Sequence, residues 1–299
     1  MIPQFADQPV FAEGTARYRG EAVAAIVGTS TALEQLNEDD LPVQWEVLPH
    51  SLCPVNASEE SAAPVHQHRS DNILVEGYVT CGDAAKALKS AAFQVTTSTT
   101  TPFIEHAYIE PEAGYCIRRN DRLELHGCTQ AAQMDRETIA EIMDLQADSI
   151  RVVPSACGGG FGSKLDISFQ PYIAIAAWKL NKPVGITYTR GDSMRSTTKR
   201  HPSDITLTVG CDANGMLSGF DFTGTFNTGA YASWGPTVAN RVPVHASGPY
   251  YTPDYCARSI AVHTNTPPAG AFRGFGVPQS AIAQETACLL YTSPSPRDS

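Results

Sequence analysis

Apolar residues recur at helical spacing in three stretches of the chain and alternate, or run short and β-branched, in several others. Residues 136–145 (RETIAEIMDL) have the spacing of an amphipathic helix. Residues 166–180 are apolar at near-helical spacing, with Pro171 expected either to kink the run or to begin a new segment. Residues 83–92 (DAAKALKSAA) predict a third helix with Asp83 as its N-cap. Strands are predicted at 93–101, where Thr and Val dominate, at 150–153 (IRVV), and at 184–189, 205–209 and 217–226. The 211–215 connection (CDANG) has hairpin-turn chemistry. Within the first fifty residues the pattern predicts a strand at 21–28 (EAVAAIVG), a short helix at 31–36 and a second strand at 43–47 (VQWEV). Residues 51–72, rich in Ser, Ala, Pro, Asn and His, read as a connecting loop. The sum is a mixed α+β pattern without internal repeats.

Composition narrows the function classes. With 299 residues, 42% hydrophobic and 17% charged, the chain can bury a substantial core. The 31 acidic and 21 basic residues leave a formal charge of -10, which argues against phosphate-neutralising contacts with nucleic acid. None of the 8 cysteines forms a C-x-x-C pair, so a zinc ribbon or ferredoxin-type cluster is not expected. Their scatter fits reduced, mostly buried thiols in a cytoplasmic protein. No apolar run approaches the roughly 20 residues that span a bilayer, so no membrane association is expected.

Two glycine-rich clusters carry the candidate chemistry. The first, 157–164 (CGGGFGSK), follows a predicted strand and precedes a helical stretch, where consecutive N–H groups could face an anion. Ser163 stands where a P-loop or a dinucleotide fingerprint needs glycine, which leaves a nucleotide-binding enzyme as the weaker alternative. The second, 270–279 (GAFRGFGVPQ), combines glycines with Arg273, an anion ligand or a structural donor to backbone carbonyls, and with Phe272 and Phe275, aromatics that are more often core than a substrate platform. His66 and His68 form an H-x-H pair that, lacking a third ligand, is not read as a metal site.

Together the two clusters resemble the molybdopterin-binding signatures of the molybdenum hydroxylases, the xanthine dehydrogenase and aldehyde oxidase family. GEAVAAIVG at 20–28, EHAYIEPEAG at 105–114, TQ at 129–130, TRGDS at 189–193, KRHPSD at 199–204 and NTGAY at 227–231 follow in the expected order. The resemblance implies the C-terminal part of a hammerhead-like α/β unit at 1–50, a linker at 51–72, and a truncated first molybdopterin-binding domain at 73–287. It implies a molybdenum–molybdopterin cofactor, with the cytosine dinucleotide form among the options. It also implies 2Fe-2S clusters and FAD on partner subunits or domains, and an oligomer is among the options. The expected reaction is oxidation of a small molecule, an aldehyde or a purine-like N-heterocycle, with water as the oxygen source.

Carried over residue by residue, Gln130 matches a glutamine that hydrogen-bonds a metal oxygen ligand. Gly159, Gly160, Phe161 and Gly162 match the loop whose backbone approaches the cofactor, and Arg273, Gly274 and Phe275 match the second motif. Arg241 matches a substrate-orienting arginine of purine-oxidising members, with a surface or interdomain ion pair as the alternative. Leu165 departs from the Glu or Gln common in those members and resembles aldehyde-oxidising ones. The resemblance places the catalytic glutamate beyond position 299, so no glutamate here is assigned that role, and the chain alone is expected to be inactive. A non-catalytic scaffold is the second alternative. The Ser/Pro-rich end, 288–299 (CLLYTSPSPRDS), resembles a translated sequencing adapter and is expected to lie outside the native fold.

Overall fold

The computed structural model of the chain describes residues 6–292. Among these lie nine strands: β1 (Ile73–Cys81), β2 (Phe93–Thr101), β3 (Ala113–Arg119), β4 (Arg122–Gly127), β5 (Ile150–Pro154), β6 (Val184–Thr187), β7 (Ser203–Cys211), β8 (Leu217–Gly229) and β9 (Asp254–His263). The α-helices are α1 (Ser30–Leu33), α2 (Pro54–Ala57), α3 (Ala84–Ser90), α4 (Ala132–Met143), α5 (Gln170–Leu180), α6 (Arg190–Ser196), α7 (Gly235–His245) and α8 (Val277–Thr292). They fall into two compact units that interleave along the chain. Among the described residues, one takes in Ala6 and Asp7, Ser51–His106 and residues 198–292; the other takes in Gln8–His50 and Ala107–Thr197.

The first unit is built on a sheet of order β1-β9-β8-β7-β2. Its β7–β8 hairpin turns at Asp212, whose carboxylate accepts from the backbone N–H groups of Asn214 and Met216 at 2.9 Å. That is the side-chain-to-backbone bonding the 211–215 sequence predicts. Alternation along β7 points Ile205, Leu207 and Val209 to one face, where they pack with Phe220, Phe222 and Phe226 of β8 and Val242 of α7. Since β8 and β9 run parallel, a crossover must join them, and α7 is the helix within it. Asp83 caps α3 by accepting from Lys86 N at 3.0 Å.

The second unit has a sheet of order β5-β4-β3-β6, with α4 and α5 against it. Leu123, Leu125, Ile139, Ile150, Phe169 and Ile173 are its core. Pro171 sits in the first turn of α5, where its missing N–H has no intrahelical partner to lose, so it begins the helix rather than kinking it. β2 has the predicted limits, whereas α4 begins at Ala132, earlier than its apolar pattern indicated.

Three expectations require correction. The stretches 21–28 and 43–47 are not strands, and the helix predicted at 31–36 is only the four-residue α1. Extended backbone becomes a strand only with a continuous ladder to a neighbour; at 21–28 a single bond, Ala12 N to Ala22 O at 2.8 Å, stands alone, and Trp45 and Val47 are 69% and 85% exposed. The cysteines are all free, yet only Cys116, Cys128 and Cys211 are buried, while Cys53, Cys81 and Cys157 are exposed. Finally, α8 continues through Thr292, past the start of the segment set apart at 288–299. Residues 293–299 of that segment lie outside the described residues. Among the described residues, no helix is long and apolar enough to cross a membrane.

Candidate cofactor-binding site

The loop at 157–164 leaves the end of β5 and closes on a 3-10 turn, Ser163–Leu165. Its path depends on backbone that side chains disfavour. Gly162 has φ +114°, and even Phe161 is held at φ 52°. At Gly160 the constraint is space, because a Cβ there would lie 2.4 Å from Gln130 Oε1. Gln130 therefore lies directly against the loop, 30 residues earlier in sequence but in the same unit.

The hydrogen bonds orient that glutamine. Gly162 N donates to Gln130 Oε1 at 3.0 Å, and Gln130 N donates to Lys164 O at 2.9 Å. An N–H must meet the amide oxygen, so the Gln130 NH2 points elsewhere and has no protein acceptor among the described residues. The backbone N–H groups of Gly159, Gly160 and Phe161 likewise have no protein acceptor among the described residues. Four of the residues carried over for this loop's chemistry, Gln130, Gly159, Gly160 and Phe161, thus hold donors without a protein acceptor among the described residues, while Gly162 N orients the Gln130 amide. A neutral amide and a run of backbone N–H groups suit anionic oxygens of a bound group without adding charge. The residues present fit a molybdopterin-type cofactor on this ground.

The loop is held from beneath by residues whose pairing the sequence did not indicate. Lys164 is 4% exposed, and its Nζ donates to Glu110 Oε2 at 2.7 Å and Glu110 O at 3.0 Å. Glu110 Oε2 also accepts from Gly158 N at 2.8 Å. Burial opposes the charges of both partners, but the hydrogen-bonded ion pair outweighs it, raising the Lys164 pKa and lowering that of Glu110. Lys164 is therefore a tether, not an exposed phosphate ligand, which tells against the P-loop alternative. Tyr108 is buried below the loop, donates to Glu112, and keeps its hydroxyl protonated because burial and then that carboxylate raise its pKa. Glu105 pairs with Lys199 at 2.6 Å. These contacts give Glu105, Glu110 and Glu112 structural partners. No local spacing links Glu110 to Lys164, 54 positions apart; only the loop's return beside the 105–114 segment reveals the pair.

The second cluster, 270–279, belongs to the other unit. His106 Nε2 meets Ala271 O at 2.8 Å; a carbonyl only accepts, so this nitrogen carries the proton. Burial pushes the His106 pKa down to about 4, leaving the ring neutral, and it stacks on Phe272 at 4.0 Å. Arg200 lies over the same phenyl ring at 3.9 Å and donates to Arg273 O at 2.9 Å. Phe272 is therefore a packing residue. The Arg273 side chain and Gly274 are exposed, and Phe275 meets the Trp234 edge at 6.1 Å between ring centroids. Arg241 is exposed on α7 in this unit, whereas Leu165 is half-buried at the end of the 3-10 turn in the other.

Comparison with known proteins bears on both clusters. Residues 65–288 match the model of the family described as molybdopterin cofactor-binding domain. The chain is 35% identical over 281 residues to a probable xanthine dehydrogenase subunit of Bacillus subtilis, covering 94% of this chain and 37% of that protein. It is 33% identical to the nicotinate dehydrogenase large molybdopterin subunit of Eubacterium barkeri, covering 93% of this chain and 65% of that one. The chain thus spans about a third to two thirds of these relatives. In fold it is similar to quinoline 2-oxidoreductase from Pseudomonas putida, with a TM-score of 0.87, 24% identity, and coverage of 95% of this chain and 37% of that one. The ordered motifs, the α+β architecture and the donor-lined loop lead to one assignment: the chain belongs to the molybdenum hydroxylase family, of the xanthine dehydrogenase and aldehyde oxidase type, and carries its molybdopterin cofactor-binding domain.

Proposed function

We propose that this chain forms part of the cofactor cradle of a molybdenum-dependent hydroxylase or dehydrogenase that oxidises an aldehyde or an N-heterocycle, with water as the oxygen source. The observation that carries the reading is the wiring of Gln130. Its amide oxygen is fixed to Gly162, so its NH2, with the N–H groups of Gly159, Gly160 and Phe161, is left to face a bound acceptor. Bound there, the molybdenum–pterin group supplies two-electron redox chemistry. The chain's own residues bind and orient. Gln130 and the loop amides present fixed dipoles to oxygens that gain or lose charge, a form of stabilisation that needs no reorganisation during reaction. Lys164 and Glu110 keep those dipoles in place. Arg273, Gly274 and Phe275 are assigned to the cofactor as well, from the second motif.

No proton-abstracting role falls to a glutamate of this chain, and that base is assigned to a region outside it. The residues at 1–50 are assigned to a hammerhead-like unit and those at 73–287 to the first cofactor domain. We assign electron transfer to 2Fe-2S and FAD-binding partners and the working compartment to the cytoplasm. For substrate, Arg241 favours a heterocycle whose ring develops negative charge, while Leu165 offers no side-chain hydrogen bond and suits less polar compounds. The combination supports broad specificity over several heteroaromatic compounds and aldehydes.

Gly162→Val in the enzyme carrying this chain tests the cradle. A β-branched side chain at φ +114° is strained and should displace the Gly162 N–H from Gln130. The expected outcome is loss of bound molybdenum and of dye reduction, with the fold retained by circular dichroism. Wild-type turnover at full molybdenum occupancy would reduce the loop to a simple turn.

A further inference from the structure

We propose that Asp7, His66 and His263 form a binding site for a divalent transition-metal ion, zinc being the best match to the ligand set. All three lie in the unit built on β1-β9-β8-β7-β2. One ring nitrogen from each histidine and one carboxylate oxygen lie within 4.8 Å of one another. The H-x-H pair is thus completed by the fold, although not through His68, which is exposed. His66 instead meets His263, the last residue of β9, with ring centroids 5.0 Å apart and planes at 68°.

The surrounding hydrogen bonds prepare both rings as ligands. His66 Nε2 meets Ala230 O at 2.6 Å, and His263 Nδ1 meets Gly229 O at 3.0 Å. Both partners are carbonyls and can only accept, so these nitrogens carry the ring protons. The other nitrogen of each ring, His66 Nδ1 and His263 Nε2, is then the lone-pair nitrogen. His263 Nε2 is buried and has no hydrogen-bond partner among the described residues, an arrangement that is costly unless something satisfies it. A ring donating one N–H to a backbone carbonyl while the other nitrogen faces inward is how metal-ligating histidines are usually oriented. Asp7 is positioned by Ala232 N, which approaches its two carboxylate oxygens at 3.1 and 3.0 Å.

Charge sets the terms of binding. Arg69 and His68 act against a cation near His263, and the Asp7 carboxylate is the anionic member of the cluster. Two imidazoles and one carboxylate select zinc or a neighbouring first-row ion over calcium or magnesium, which prefer all-oxygen shells. The ion would join three segments distant in sequence, and so fasten the N-terminal stretch to the end of β9.

The test uses the purified 299-residue chain, stripped with chelator and then given zinc or cobalt(II). One equivalent of zinc should survive gel filtration, and it should raise the thermal midpoint. Cobalt should give visible d–d bands without a thiolate charge-transfer band. Asp7→Asn and His263→Gln should each weaken zinc binding by roughly a hundredfold, whereas His68→Gln should leave it unchanged. His263 is buried, so its variant is also checked by circular dichroism; if it does not fold, the half-exposed Asp7→Asn still decides the matter. No retained zinc, equal affinity in Asp7→Asn, or a thiolate band pointing to exposed cysteines would each overturn the proposal.

Discussion

Gln130 shows how one side chain acquires a direction. Nothing in the dipeptide Thr129-Gln130 indicates which end of the amide faces the loop; the Gly162 N–H decides it, because only the oxygen can accept. Arg241 is different. Its helix fixes its place on an exposed face, but among the described residues no partner there assigns it a role. The proposal that it orients heterocycles predicts that Arg241→Met lowers kcat/KM for heteroaromatic substrates more than for aldehydes. A lost charged contact costs a matched substrate more than the roughly 1–3 kcal/mol a methylene supplies. Paired kinetics on both classes check this, and equal losses would remove Arg241 from substrate recognition.

At the scale of the element, the loop after β5 depends on an anchor outside itself. Lys164 and Glu110 tie it to the 105–114 segment, and Gly158 N shares the same carboxylate. Glu110→Gln would keep a hydrogen-bond acceptor but leave the Lys164 ammonium buried without its counter-charge. Removing one partner of a fully buried pair costs about 3–5 kcal/mol; Glu110 is 30% exposed, so about 2–3 kcal/mol is expected here. The sign with pH follows from the two directions. A carboxylate with a lowered folded pKa stabilises above its unfolded value and loses that contribution as pH falls through the folded one. The raised Lys164 pKa keeps the ammonium charged throughout the neutral range. Urea unfolding should therefore show a wild-type advantage at pH 7 that shrinks toward pH 3. An undiminished difference at pH 3 would mean the glutamate acts by packing alone.

For the whole molecule, buried titratable groups govern the response to acid. Burial first of all holds His106 at about 4 and His201 at about 3, so both remain neutral in the fold while the unfolded chain protonates them near pH 6.5. Stability contributed by keeping them neutral is present above pH 6.5 and lost as pH falls toward the folded values. Each such proton is worth about 1.4 kcal/mol per pH unit within that window. Asp135 opposes them: burial raises its pKa to about 6, so between its unfolded value and pH 6 the folded state holds the extra proton. Its contribution becomes more favourable as pH falls. The net expectation is a loss of stability from pH 7 to pH 5 that becomes steeper in Asp135→Asn. Denaturation at the two pH values checks both, and a variant with a shallower loss would reverse the sign assigned to Asp135.

The fold class and the two glycine-rich clusters were legible in the sequence because both depend on local chemistry. Period-two and helical spacing mark buried faces, Asp83 and the 211–215 turn carry their own hydrogen bonds, and a backbone needing positive φ selects glycine. The apolar stretches at 21–28 and 43–47 misled for the converse reason. A strand is a property of a pair, and among the described residues these largely exposed stretches form no ladder, only the single bond from Ala12 N to Ala22 O. Tertiary structure alone decided that Lys164 would meet Glu110, that Phe272 would stack on His106, and that His66 would come together with His263 and Asp7. Each is a contact between residues far apart along the chain, chosen by which segments the sheets bring together, and no local spacing encodes that choice.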